Sequence, residues 1–114
     1  MRLYVAGPIT DPDMTVVRQR CEDACRAGMK LVELGHYAYV PHWSGLLPES
    51  FDIPHERWLK QDMEWLRLCD GIVLLPGWER SKGAKMELAE AEQLGLTVFF
   101  YLEDAPWIKA RTQR

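Results

Sequence analysis

The sequence predicts an α/β domain, a three-layer sandwich in which a parallel sheet of four to five strands lies between two layers of helices. Short apolar runs that end at Gly or Pro alternate with longer segments whose apolar residues recur at helical period. One run, Gly71 to Leu75, is apolar almost throughout, which is typical of a strand buried on both faces. Strands separated by helices pair in parallel through right-handed crossovers, so helices should cover both faces of the sheet.

The first half of the chain supplies two strands and one long helix. Leu3 to Ala6 is predicted to form a strand that runs into a Gly-Pro pair, which ends regular structure. Met14 to Leu34 has the apolar period of a helix. Tyr37 to Val40 is predicted to be the second strand. Pro41 to Pro54, rich in Pro, Gly and Ser, is predicted to be a loop long enough to suggest a function.

The second half continues the alternation of helices and strands. The pattern predicts a helix from His55 to Cys69, a strand from Gly71 to Leu75, a loop from Trp78 to Lys82, a helix from Gly83 to Leu94 and a last strand from Thr97 to Leu102. In sheets of this kind, ligands bind beyond the carboxyl ends of the strands. The loops that follow the four strands should therefore surround any site.

Composition and charge are those of an ordinary single domain, 1–114, and they exclude several partners. Hydrophobic residues make up 47% of the chain, and no stretch approaches the roughly 18 consecutive apolar residues of a membrane-spanning helix. The N-terminal residues do not have the pattern of a secretory signal, so we expect a soluble, cytoplasmic protein with no membrane partner. The net charge of −3, without a cluster of Lys and Arg, argues against long nucleic acid but is compatible with a single nucleotide.

The cysteines do not indicate a cofactor. Cys21 and Cys25 lie four residues apart in a helical segment, where they are expected to pack against other apolar side chains. No His or Cys partners stand at the spacing of a zinc site. We therefore expect neither a metal nor another cofactor.

Two acidic residues fall on apolar helix faces, where an unpaired carboxylate is costly. Asp62 lies four residues after Trp58 and four before Leu66, a position that fits a functional acid or a structural ion pair. Glu87 shares its side of the helix with small residues such as Ala84. We expect its carboxylate to be accessible near the start of the helix, where a solvated Glu favoured by the helix dipole is the simpler interpretation of the pattern alone.

Residues of the predicted loops are candidates for ligand binding. Ser81, Lys82 and Gly83 combine a hydroxyl, a cation and a glycine at a helix N-terminus, where free N–H groups attract anions. The same residues also make an ordinary helix cap, and they lack the glycine spacing of a P-loop or a dinucleotide fold. His42, in the long loop, is a further candidate to touch a ligand.

Three motifs, taken in their order and spacing, resemble the nucleoside 2-deoxyribosyltransferase family: Tyr4-Val5-Ala6-Gly7-Pro8, Gln61-Asp62-Met63 and Ser81-Lys82-Gly83-Ala84-Lys85-Met86-Glu87-Leu88. The resemblance covers about residues 2 to 102. The run from Leu74 to Trp78 is similar to that of small bacterial and phage members of the same superfamily. The resemblance implies a flavodoxin-like three-layer sandwich and a small-molecule nucleoside or nucleotide as the partner.

The resemblance also implies a double displacement. Glu87 would be the nucleophile that attacks the anomeric carbon of a 2-deoxyribosyl group, with Tyr4 orienting its carboxylate and Asp62 handling protons near the leaving base. A transferase passes the sugar to another base, and a hydrolase passes it to water. Ser81 stands where transferases of the family usually carry Asp, which is similar to the branch that hydrolyses nucleoside 5′-monophosphates. The residues expected to bind the substrate are Gly7, Pro8, Ser81, Lys82, Gly83 and His42.

Departures from the family pattern leave alternatives open. The loop from Gly7 to Asp11 lacks the Arg of the monophosphate branch, for which Lys82 offers a substitute. The chain ends soon after the fourth predicted strand, so we expect a second subunit to complete the pocket in a homodimer or higher homo-oligomer. A non-catalytic nucleotide-binding or sensing module is the alternative function. A flavodoxin-like or receiver-like role is a third, although strand one ends without an acidic pair.

Overall fold

In the computed structural model, which describes residues 1–102 and 108–110, a single sheet forms the central layer of the fold, with helices on both faces. The strands are β1 (Arg2–Ala6), β2 (Tyr37–Tyr39), β3 (Gly71–Leu74), β4 (Thr97–Tyr101) and β5 (Ile108–Ala110). The helices are α1 (Met14–Glu33), α2 (His55–Leu66) and α3 (Lys82–Gln93). Among the described residues, no helix combines the length and the apolar character needed to cross a membrane.

The sheet has the strand order β2-β1-β3-β4-β5, and its first four strands are parallel. The predicted α/β fold with a parallel sheet is thus confirmed. The fifth strand departs from the prediction, because β5 pairs with β4 in the antiparallel direction. Only residues 102–107 separate β4 from β5, and a parallel crossover needs a dozen or more. Because β5 follows β4 so closely in sequence, it can pair with β4 only in the antiparallel direction.

Each face of the sheet buries its own cluster of side chains. On one face α1 packs against Leu3, Val5 and Val73, and on the other α3 packs against Ile72 and Leu74. Successive residues of a strand point to opposite faces, so the apolar runs read from the sequence supply both clusters. Full burial of a Leu or Val side chain contributes about 1.5–3 kcal/mol, and this packing fixes which residues of β1 and β3 face which helix.

Helix ends follow local signals in the sequence. Asp13 caps α1 by accepting a hydrogen bond from the Thr15 N–H at 2.9 Å, and Gly35, with φ +93°, follows where α1 ends. The predicted loop Pro41 to Pro54 instead contains two short 3₁₀ helices, Pro41–Leu46 and Pro48–Asp52. Each begins at a proline, which the first turn of a helix accepts because its missing N–H has no partner there anyway.

The start of the loop after β1 is fixed by a close approach to β3. A Cβ on Gly7 would lie 2.8 Å from the Leu75 Cβ, too near for two carbon atoms in van der Waals contact. A Cβ on Gly83, near the start of α3, would meet nothing within 4 Å in the described part of the chain. The two glycines therefore stand in opposite steric environments.

We predict that Gly7→Ala destabilises the protein by about 1–3 kcal/mol, because an added methyl group overpacks the contact with Leu75. Gly83→Ala is the matched control, and its free energy of unfolding should stay the same or rise by up to about 1 kcal/mol, because alanine favours the helix. Urea denaturation of both variants and the parent measures the difference. Equal midpoints for Gly7→Ala and the parent would contradict the packing described.

Candidate active site

A tyrosine from the sheet and a glutamate from a helix meet inside the protein. The Tyr4 hydroxyl, in the middle of β1, donates a hydrogen bond to Glu87 Oε2 on α3. Tyr4 is fully buried and Glu87 is 8% exposed. The expectation of an accessible carboxylate near the start of the helix is therefore wrong. Glu87 lies on the face of α3 that packs on the sheet, together with the buried Ala84 and Ala91, whose small side chains leave room for it.

A second tyrosine and a second carboxylate lie beside the first pair. The Tyr39 hydroxyl, at the end of β2, donates to Asp62 Oδ1 at 3.2 Å. Tyr39 and Tyr4 are direct neighbours in the parallel register of β1 and β2, and their ring centroids lie 5.6 Å apart. The charge of Asp62 acts on both Tyr4 and Glu87. The structure thus brings together the three residues that the sequence analysis singled out, on the face of the sheet covered by α2 and α3.

Burial makes both carboxyl groups harder to ionise. The loss of water around Glu87 raises its pKa to about 8; the hydrogen bond from Tyr4 opposes this shift, and the nearby Asp62 charge adds to it. The loss of water also raises the pKa of Asp62 to about 6, partly offset by the hydrogen bond from Tyr39. Burial, followed by the charges of the two acids, raises the pKa of Tyr4, so its hydroxyl remains a donor. Between about pH 6 and pH 8 the two acids together hold about one proton.

The predicted binding segment at the start of α3 is built as a helix cap. Ser81 Oγ accepts a hydrogen bond from the Ala84 N–H at 3.1 Å, so this hydroxyl closes the helix. Lys82 is exposed, and the space around Gly83 is open. An anion at the start of α3 would therefore bind to backbone N–H groups, while the Ser81 hydroxyl stays engaged in the cap.

The other predicted binding residues lie at the carboxyl end of β1. Gly7 packs against Leu75, and Pro8 lies beside Gly77. His42 is 1% exposed, and neither ring nitrogen has a hydrogen-bond partner in the described residues. Burial lowers the pKa of His42 to about 4, opposed in part by the nearby backbone of Gly7 and Pro8. The imidazole is neutral and buried behind this loop, and its contact with a ligand stays a prediction.

The sequence pattern alone did not point to two residues that lie near these groups, Tyr39 and Arg80. Tyr39 was assigned only to a strand, although an aromatic residue at the carboxyl end of a strand next to that of Tyr4 is a signal that could have found it. Arg80 is the other residue: it lies in the loop between β3 and α3, whereas the family pattern places an arginine in the loop after β1. A Cβ on Gly77 would lie 3.5 Å from Arg80 Nη2 and 3.4 Å from Pro8 Cγ, so the Arg80 guanidinium and Pro8 both lie near Gly77.

In the described part of the chain, cavities open near the carboxyl ends of β3 and β4, and two of them are considered in turn. One, of about 360 Å³, is lined by residues of the loop after β3, including Gly77, Trp78 and Arg80. The other, of about 450 Å³, lies on the α1 side. Neither Glu87 nor Asp62 is among the described residues that line them. No group of three His, Cys, Asp or Glu side chains suited to a metal ion occurs in the ranges that the structure describes.

The raised pKa of Glu87 predicts that stability falls as pH rises. In the unfolded chain Glu87 loses its proton near pH 4.5, whereas in the folded protein it keeps the proton to about pH 8. Between these values the folded state binds more protons, so the free energy of unfolding decreases with pH. Asp62 adds a decrease of the same sign between about pH 4 and pH 6. Glu87→Gln removes the larger effect and should raise the melting temperature at pH 8 relative to the parent by more than at pH 5.

Melting temperatures from circular dichroism between pH 5 and pH 8.5 measure this effect. Glu33→Gln, which neutralises an exposed glutamate of α1, is the matched control and should follow the parent at every pH. A difference between Glu87→Gln and the parent that does not change with pH would show that the carboxyl group titrates alike in the folded and unfolded states.

Comparison with known proteins agrees with this architecture. The model of a protein family described as a domain of unknown function, DUF4406, matches residues 1–100. A comparison with curated proteins gives no significant match. The chain is similar in structure to a 2-deoxyribosyltransferase from the psychrotolerant bacterium Bacillus psychrosaccharolyticus, described as a biocatalyst for the synthesis of antiviral and antitumoral nucleosides. The TM-score is 0.62 at 22% identity, over 89% of this chain and 72% of the other.

A second solved structure gives the same result. The 2-desoxiribosyltransferase from Leishmania mexicana superposes with a TM-score of 0.60 at 15% identity, over 97% of this chain and 78% of the other. At these identities the likeness establishes the fold, and the resemblance noted in the sequence motifs is confirmed at that level. The chain therefore belongs to the DUF4406 family and has the fold of the 2-deoxyribosyltransferases.

Proposed function

We propose that this protein is an enzyme that cleaves the base–sugar bond of a deoxynucleoside or nucleoside 5′-monophosphate through Glu87. The observation that carries the proposal is the buried hydrogen bond from Tyr4 to Glu87, with Asp62 held beside it by Tyr39. Two carboxyl groups with different surroundings are what glycosidic bond cleavage requires, one as nucleophile and one for proton transfer. The fold shared with two 2-deoxyribosyltransferases supports the same chemistry.

The proton shared by the two acids suggests how the reaction proceeds. Tyr4 holds Glu87 Oε2, so we assign the attack on the anomeric carbon to Oε1. The higher pKa of Glu87 means that the single proton lies mainly on Glu87 in the free protein, and the reactive form requires its transfer to Asp62, which leaves Glu87 ionised. A bond forms between Glu87 and the sugar, the bond from sugar to base breaks, and the base takes the proton from Asp62. Water or a second base then attacks the sugar and gives its proton to Asp62, which frees Glu87.

Burial of Glu87 favours this reaction in the transition state. A desolvated carboxylate is unstable until a positive charge develops beside it, and the sugar becomes oxocarbenium-like as the base leaves. The raised pKa of Glu87 reflects the same desolvation. Its ionised form is therefore stabilised more in the transition state than in the free protein, which is the condition for catalysis.

Recognition of a 5′-phosphate would come from the loop between β3 and α3. Arg80 and Lys82 supply positive charge, and the start of α3 supplies backbone N–H groups with open space at Gly83. This arrangement provides a cation for the loop after β1, which has none of its own from Gly7 to Asp11. We propose that nucleoside 5′-monophosphates are better substrates than the corresponding nucleosides.

We predict that Glu87→Ala lowers base release by at least several orders of magnitude, because the covalent route is lost and each tenfold is about 1.4 kcal/mol of barrier. Asp62→Asn should lower it by about 10²–10⁴-fold, because only proton transfer is removed. Glu90→Gln, on the same helix as Glu87, is the control and should retain activity. Base release is measured by chromatography on paired deoxynucleosides and their 5′-monophosphates, with circular dichroism as the check on folding.

Unchanged turnover in folded Glu87→Ala protein would contradict the mechanism. Equal rates on a nucleoside and its monophosphate would contradict only the role of Arg80 and Lys82.

The rate of base release by the parent protein should be greatest between about pH 6 and pH 8, where Glu87 and Asp62 together carry one proton.

A nucleotide-binding or sensing module is the second candidate. One observation favours it, since Glu87 and Asp62 are absent from the described walls of both cavities. Nucleotide binding by the parent without base release from any member of the substrate panel would decide for this alternative.

We further propose a cytoplasmic location, because all three cysteines are unpaired, as is usual in a reducing compartment. Fractionation of cells that produce the protein measures this directly.

We also propose a homodimer or higher homo-oligomer. Aromatic side chains are favoured at interfaces, and of three tryptophans in or beside the loops near the proposed site, Trp43 is exposed, whereas Trp58 and Trp78 are half-buried. The segment from Pro41 to Ile53 exposes further large apolar side chains, which are typical of interaction surfaces: Leu46, Leu47, Phe51 and Ile53.

We predict that the parent protein sediments as a dimer or larger species at micromolar concentration and that Phe51→Asp shifts it toward the monomer. Phe51 is exposed and belongs to the proposed surface. Met29→Asp, which changes an exposed apolar residue of α1, is the control and should sediment like the parent. A monomeric parent protein in sedimentation velocity would contradict this proposal.

A further inference from the structure

Tyr39 is held in the structure by its ring as well as by its hydroxyl. Its ring centroid lies 5.6 Å from that of Tyr4 on the neighbouring strand and 5.5 Å from that of Trp65 on α2, against which it stacks. Trp65 follows Asp62 by three residues, so the two side chains share one side of α2. The ring contacts therefore bring the Tyr39 hydroxyl to the Asp62 carboxyl group independently of the hydrogen bond itself.

The surroundings of the Tyr39 hydroxyl decide the direction of its hydrogen bond. A phenol oxygen can both donate its proton and accept from other donors. Burial raises the pKa of Tyr39, and the side chains of Gln61 and Trp43 act against this rise as donors to the hydroxyl oxygen. An indole N–H can only donate. The hydroxyl proton is therefore directed at Asp62 Oδ1, which lies 3.2 Å from the Tyr39 oxygen.

This hydrogen bond occupies one of the two carboxyl oxygens of Asp62. Tyr39 holds Oδ1, and the described residues give Oδ2 no hydrogen-bond partner. Asp62 is half-buried, so a ligand can reach the free oxygen. The arrangement parallels that of Glu87, whose Oε2 is held by Tyr4. Each tyrosine leaves one carboxyl oxygen of its acid available for reaction.

We propose that Tyr39 is the positioning residue for proton transfer to the leaving base, because it fixes Asp62 so that Oδ2 carries and delivers the proton. This role rests on the proposed reaction at Glu87. In that reaction Glu87 Oε1 bonds to the anomeric carbon, and the electron pair of the bond from sugar to base goes to the base. A ring nitrogen of the base takes the proton from Oδ2. Tyr39 itself acts only through Asp62, by holding the donor in the direction that the transfer requires.

Two substrates that differ in their need for a proton test this role: 2′-deoxyguanosine 5′-monophosphate and its N7-methylated form. The methylated base carries a positive charge, which the electron pair of the broken bond neutralises, so this base leaves without a proton. Tyr39→Phe keeps the ring contacts and removes the hydroxyl. It should slow base release by about 10–100-fold on the unmethylated substrate and by less than about threefold on the methylated one.

Two further variants complete this comparison. Asp62→Asn removes the proton donor itself and should show the same contrast between the two substrates. Tyr37→Phe is the matched control, because it removes a hydroxyl from the same face of β2 at a position that is 74% exposed. Its rates should equal those of the parent on both substrates.

The ionisation of Asp62 provides a second measurement, which needs no substrate. Burial raises the pKa of Asp62 to about 6, and the hydrogen bond from Tyr39 opposes this rise. Tyr39→Phe should therefore raise the pKa of Asp62 further, as followed by the carboxyl carbon shift in nuclear magnetic resonance. Tyr4 from β1 and Glu87 from α3 interact with Asp62 in both proteins, so the difference reports the lost hydroxyl. Tyr37→Phe should leave the pKa unchanged.

Equal losses on the two substrates in Tyr39→Phe would overturn the role of Tyr39 in proton transfer. An Asp62 pKa in this variant that is no higher than in the parent would overturn it as well. Either result, with base release by the parent intact, rejects the role of Tyr39 and leaves the reaction at Glu87 in place. A raised Asp62 pKa in Tyr39→Phe, with no base release by the parent on any substrate, would reject the reaction but support the hold of Tyr39 on Asp62.

Discussion

The hydrogen bond from Tyr4 to Glu87 is the interaction on which the arrangement of this protein depends. A carboxyl group inside a domain is tolerated only when it is paired or neutral, and here it is held by a tyrosine and carries a raised pKa. For the pair to form, β1 must present Tyr4 to the α3 side of the sheet, and α3 must carry small residues beside Glu87. The packing of β1 against α3 therefore fixes the geometry of the proposed site.

The second pair, Tyr39 and Asp62, extends this arrangement across the sheet. Parallel pairing of β1 and β2 places the two tyrosines side by side, so that each hydroxyl meets one acid. Burial raises the pKa of both acids, and the charge of Asp62 adds to the rise for Glu87. A site of this kind lowers stability at higher pH, and proteins retain such features where function requires them. The main argument for the proposed enzyme remains the geometry of these two acid–tyrosine pairs.

The two faces of the sheet differ in character. The face covered by α2 and α3 holds the paired acids in a packed interior, whereas the α1 face ends in a cavity bordered by Arg20, Arg26 and Lys30. Both faces meet the loops after β1 and β3, where Pro8 lies beside Gly77.

The sequence by itself determined the alternation of strands and helices, the parallel pairing of four strands and the two acids on apolar helix faces, because period and local end signals are properties of single elements. Only the tertiary structure decided that Glu87 is buried, that Tyr39 holds Asp62, that Pro8 and Arg80 both lie near Gly77 and that β5 is antiparallel. A helical period shows which side of a helix is apolar. It does not show which strand residue meets that side, since this depends on register and on packing between residues far apart in the chain.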